Sequence, residues 1–145
     1  MSYVSWHVPE HDIVVQRWSD PVELEAALAA KREEMARVEY GDGTVWLADA
    51  RGTEVDVDFV KAWAPAIAAE FPDHLHRLAI LVDGPRLTAL GMMLAKAHEG
   101  RHKRTEVFST LDGAITWLGL DSSKCTSAAL GLDASNRGDR ANRGA

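Results

Sequence analysis

The chain has a single cysteine, Cys125, among 145 residues. One thiol excludes an internal disulfide framework and any multi-cysteine metal centre. Long apolar runs are also missing, and nothing reaches the roughly 20 residues that a membrane-spanning helix requires. The N-terminal stretch Met1 to Trp6 lacks the basic segment and apolar core of an export signal, so the sequence predicts a cytoplasmic protein. Basic residues are in the minority: 16 Lys and Arg stand against 22 Asp and Glu, which argues against a general nucleic-acid binder. The local exception is Lys96 to Arg104, which reads as a solvated helix end whose cations complement the helix dipole. Neither Gly-x-Gly-x-x-Gly after a strand nor Gly-x-x-x-x-Gly-Lys-Ser/Thr occurs, which removes dinucleotide and P-loop chemistry.

What is present is a rhythm of short β-rich apolar runs alternating with helix-patterned stretches. Leu78 to Val82 is apolar at every position, as a strand buried on both faces would be. Pro85 to Gly100 then carries Leu87, Leu90, Gly91 and Leu94 on one helical face, with Pro near the start and Gly at the close. Strand followed by helix, repeated, predicts a parallel sheet clad in helices. Upstream, Tyr3 to Val8 and Ile13 to Trp18 flank a short loop and predict an antiparallel hairpin. Asp20-Pro21-Val22-Glu23 reads as a capping box opening a helix, whose apolar stripe is Leu24, Leu28, Met35 and Val38. Lys31, Arg32, Glu33, Glu34 and Arg37 are assigned mostly to its wet face. Thr44 to Asp49 is the next strand. It precedes a helix capped by Asp56 or Asp58, with Val60, Trp63, Ile67 and Phe71 on one side and a break expected near Trp63 because of Pro65. Thr105 to Phe108 makes a last strand, nearer an edge, and Thr110 to Leu118 a last helix.

The expected domain is therefore residues 1–120. Residues 121–145 read as a polar, flexible tail rich in Ser, Gly, Asn, Asp and Arg, in which a helical turn at 127–132 could dock Leu130 and Leu132. Arg137-Gly138-Asp139 in that tail is taken as a chance tripeptide.

Three stretches carry a family resemblance: 14–22 (VVQRWSDPV), 78–93 (LAILVDGPRLTALGMM) and 105–118 (TEVFSTLDGAITWL), the last resembling a strand followed by Leu-Asp-x-Ala-x-x-Trp-Leu. Together with the element order, these residues resemble the SpoIIAA-like branch of STAS/Sec14-type domains over about residues 3–118. The resemblance implies an α/β fold with a mixed five-stranded sheet and four or so helices, and a regulatory binding role without catalysis. STAS proteins that antagonise anti-sigma factors place a phosphorylatable serine in Asp-Ser-Ser-Gly at the second helix. The matching position here is Asp56-Val57-Asp58-Phe59, with no hydroxyl, although Asp58 supplies a permanent negative charge nearby.

Ligands of parallel sheets collect at the carboxyl ends of the strands. That edge is expected to gather Asp49, Arg51, Gly52 and Thr53, then Asp83, Gly84 and Arg86, then Ser109 and Thr110. Two arginines beside helix starts could hold a phosphate or carboxylate, or could be ordinary surface residues beside helix caps. The surface expected to meet a partner or ligand comprises Arg51, Thr53, Asp56, Asp58, Trp63, Asp83, Arg86 and Met92. The leading expectation is a protein partner or a homodimer engaging the second helix and the loop 51–59. The alternative is a carrier of a small apolar or anionic ligand between the helix around Trp63 and the helix from Pro85. The His98/His102 spacing suits metal ligation, but Gly100 should end the helix between them, and Asp73/His74/His76 lack further ligands nearby, so neither a metal nor another cofactor is expected.

Overall fold

The structure, a computed structural model, describes residues 2–74, 76–99 and 104–133. The element order is β1 (Tyr3–Val8), β2 (Ile13–Trp18), α1 (Leu24–Arg37), β3 (Val45–Asp49), α2 (Val57–Glu70), β4 (Leu78–Leu81), α3 (Gly84–His98), β5 (Thr105–Phe108) and α4 (Leu111–Trp117). The five strands form one sheet in sequence order, antiparallel between β1 and β2 and parallel thereafter, which makes it the mixed α/β sheet implied by the strand–helix alternation. Among the described residues no helix is long and apolar enough to cross a membrane.

Adding parallel strands in sequence order has a packing consequence. Crossovers of one hand deliver every connecting helix to the same face of the sheet. On that face Val14, Trp46, Ala48, Leu78, Ile80 and Val82 pack beneath α1, α2 and α3, with Leu87, Leu94 and Met35 reaching down. The opposite face presents Ile13, Val15, Val45, Leu47, Ala79 and Leu81, and α4 is only 7 residues long. Cys125, Leu130 and Leu132 complete its cover, each at most 2% exposed. The indole N–H of Trp6 donates to Leu130 O at 2.9 Å and ties this segment to β1. Residues 121–133 are thus part of the packed unit, where composition suggested a polar tail beginning at Asp121. Polar composition misleads because only three side chains need to be apolar for a strap to close a sheet face. The docking of Leu130 and Leu132 is as the helical turn at 127–132 suggested. The Arg137-Gly138-Asp139 tripeptide and His102 lie outside the described residues.

The start of α1 also differs from expectation. The helix begins at Leu24 with Glu23 at its N-cap and no side-chain cap, so the capping box does not form. Glu23 N–H instead donates to Ser2 Oγ at 2.9 Å, and that hydroxyl lies 3.1 Å from Glu23 O. A buried serine from before β1 therefore does the work of a local cap, and Asp20 accepts Glu54 N–H at 2.8 Å. Ser2→Ala is expected to cost about 1–2 kcal/mol in denaturant unfolding, the range of a lost N-cap. Helix α2 is continuous across Pro65, without the division expected near Trp63, and Asp56 caps it through Phe59 N–H at 2.8 Å.

Candidate functional site

At the carboxyl ends of β3 and β4 the loops 49–55 and 83–86 come together, and their polar groups are bound to one another. Asp49, 1% exposed, grips Arg51 through Nε at 2.9 Å and Nη2 at 3.0 Å, and this pairing holds the guanidinium above its ordinary pKa against the cost of its partial burial. Arg86 spans from α3 to the 51–56 loop, donating to Thr53 O at 3.0 Å and to Val55 O. Asp83 does not cap α3, because its carboxylate accepts Gly52 N–H at 3.0 Å. Thr53 is buried and donates to Ala50 O at 2.8 Å. The two arginines, read from the sequence either as anion holders or as ordinary surface residues, here staple a loop: one faces a carboxylate and the other two backbone carbonyls.

Behind that stapled loop lies a cavity of about 70 Å³ between the sheet, α2 and α3. Trp18, Val55, Phe59, Trp63, Leu87 and Leu94 form much of its wall, with Ala48 and Ile80 beneath. Trp63 is 6% exposed, stacked on Phe59 at 5.3 Å and edge-on to Trp18 at 5.5 Å. It is a cavity wall and not part of an outer surface. Gly91 also lines the cavity, where α3 lies so close to β5 that an added Cβ would stand 3.1 Å from both methyls of Val107. Asp58 and Met92 remain outside, and Met92 is 61% exposed on α3.

The polar end of the cavity is Gln16, on β2. Its Nε2 donates to Glu34 Oε1 at 3.0 Å, and its Oε1 accepts the Trp18 indole N–H at 3.0 Å. Glu34 is fully buried and also accepts from Lys31 Nζ at 2.6 Å and Trp46 Nε1 at 3.1 Å. Burial pushes the Glu34 carboxyl up, but Lys31 and the donors from Trp46 and Gln16 outweigh it and hold the group below its usual range. For Lys31, 3% exposed, burial wins over Glu34 and draws the ammonium below its ordinary value. With three sets of donors, Glu34 is the better held charge of the pair. The Tyr3 hydroxyl is buried beside Glu34, and burial, followed by the Glu34 charge and hydrogen bonding to it, raises its phenol.

Lys31 Nζ continues to His74 Nε2 at 3.1 Å, His74 Nδ1 to His76 Nδ1 at 3.0 Å, and His76 Nε2 to Gly41 O at 2.9 Å. The imidazoles considered for a metal are thus joined to each other, and among the described residues no group of three or more His, Cys, Asp or Glu is placed to hold a metal ion. This cluster was missed because Lys31 and Glu34 were assigned to solvent. A signal existed: Leu24, Leu28, Met35 and Val38 leave a gap at the 4-3-4-3 spacing, and Lys31 fills it.

No family model, curated protein or solved structure matches the chain.

Proposed function

We propose that this chain is a non-enzymatic binding domain that carries a small, neutral, apolar molecule in the cavity between α2 and α3. The observation that carries this reading is the lining: aromatic and aliphatic walls, with polar groups on Gln16, Thr53 and the Trp18 indole that are already engaged in internal hydrogen bonds. An apolar guest gains by leaving water and asks nothing of those groups, whereas a charged guest would need a counter-ion there. Arg51 and Arg86, the cations nearest by sequence, are turned to Asp49 and to the carbonyls of Thr53 and Val55, so the anionic ligand is the weaker form of this idea. The STAS/Sec14-type resemblance of the sequence agrees with a carrier.

Toluene is a suitable probe, read by the indole N–H resonances of Trp18 and Trp63. Ala50→Leu, which enlarges a lining residue, is expected to weaken it by about tenfold or more, equivalent to about 1.4 kcal/mol. Undiminished binding in Ala50→Leu, or no binding to the unaltered chain, rejects the cavity as the site.

A protein partner or a second copy is the other reading, favoured by the exposure of Met92 and Met93 on α3 at 61% and 40%. Lysine at both positions should then reduce self-association in sedimentation or lose partners in pull-downs. A folded variant that behaves as before would reject that surface.

A further inference from the structure

With Lys31 as an ammonium, the hydrogen-bond chain from Lys31 to Gly41 has one consistent arrangement of protons. Gly41 O can only accept, so His76 Nε2 carries a proton. An ammonium can only donate, so His74 Nε2 accepts from Lys31. One proton remains for the gap between the two Nδ1 atoms, and with His76 already holding its own, it sits on His74. Both rings are then neutral, each of these three contacts is made, and the chain has one direction from Lys31 outward.

We propose that these two imidazoles form an acid-sensitive latch on the cavity: one further proton breaks the chain, unseats Lys31 from Glu34, and loosens the Gln16–Trp18 wall so that the guest is released. The release step rests on the apolar-carrier reading above; the latch itself does not. A proton arriving at His76 Nδ1 obliges His74 Nδ1 to accept and moves the His74 proton to Nε2, directly against the Lys31 ammonium. The alternative places two N–H groups face to face across the 3.0 Å gap. Either way a bond is lost, and histidine is the side chain whose ordinary titration falls between pH 5 and 8.

The surroundings oppose one another in a way that favours this outcome. From the β1–β2 turn, the Asp12 carboxylate faces His76, while His7 shares Asp12 at 3.0 Å. From α1, the Lys31 ammonium faces the inner ring and is itself held by the Glu34 carboxylate. Tyr40, from the turn after α1, lies edge-on to His76 at 5.3 Å, and the Tyr3 phenol, raised by burial, adjoins Glu34 from β1. Burial has already weakened the hold of Lys31 on its proton, so a second cation beside it is poorly tolerated. His74 is 5% exposed and His76 is partly open, which gives the proton an entrance at the outer end.

The test is a nitrogen-resolved NMR titration of the full chain between pH 7.5 and 5.5, with and without toluene. At pH 7.5, His74 should be the Nδ1–H and His76 the Nε2–H neutral tautomer; an imidazolium at either position there overturns the latch. On acidification toluene should weaken about tenfold, within the limit for uptake of one proton over this range. In His74→Phe, which cuts the link to Lys31, the change should shrink to about twofold or less, and an undiminished pH effect in a folded variant overturns the proposal. Should that variant not fold, the unaltered chain decides: the Gln16 side-chain amide, the Trp18 indole and the Gly41 amide must move with the same midpoint as the histidine rings, and separate midpoints refute it. If toluene binds at no pH, the carrier reading fails, and those coincident midpoints still judge the latch alone.

Discussion

Replacing Glu34 with leucine should destabilise the fold by about 3–5 kcal/mol, the range for removing one partner of a buried ion pair. The loss is large because three donors are orphaned together: the Lys31 ammonium, the Trp46 indole N–H and the Gln16 amide. Adding Lys31→Met to that variant should restore part of the loss, since the uncompensated buried charge then disappears. Denaturant unfolding of the two single variants and the double checks both statements, and a double variant no better than Glu34→Leu would refute the second. The pH dependence has a defined sign. The Glu34 carboxyl is held below its ordinary value in the folded chain, so its contribution is present above the unfolded value near 4.5 and is lost as pH falls through the lowered one. That acid limb should be missing from the stability profile of Glu34→Leu.

A chain ended after Leu120 should fail to form a stable monomer. It would keep α4 but uncover part of that sheet face, where Ile13, Val15, Val45 and Leu47 share a core with Cys125, Leu130 and Leu132. Within the full chain, Leu130→Ala alone should cost about 2–5 kcal/mol, because Leu130 is fully buried and its removal leaves a cavity under a short strap. Unfolding curves give the second number. Dye binding to exposed apolar surface and size-exclusion chromatography test the first, and a truncated chain as stable and monomeric as the full one would refute it.

Much of the architecture was legible because periodicity survives in single segments. The bounds of β1, β2 and β5 follow directly from the apolar runs, and the helix from Pro85 and the last helix from Thr110 follow from turn and cap residues. Where expectation failed, a distant residue had replaced a local one. Ser2 caps α1 from 21 residues away, so Asp20 is released to hold Glu54. Asp83 reaches 31 residues back to Gly52 and leaves its own helix without a side-chain cap. The candidate site shows the same division. Trp63 and Thr53 read from the sequence as parts of a partner or ligand surface, and the fold turns both inward. Gln16, Lys31, Glu34, His74 and His76 span β2, α1 and the approach to β4, so no window of sequence contains them.

By itself the sequence determined the kinds and order of the elements, because strand and helix periods and the residues that end them act over a few positions. The three-dimensional packing decided which charges are internal, which loop cations are already occupied, and that a polar-looking segment closes the second face. Those outcomes depend on partners brought together from separate strands and helices, and on a one-handed winding that leaves half the sheet for the last residues to cover.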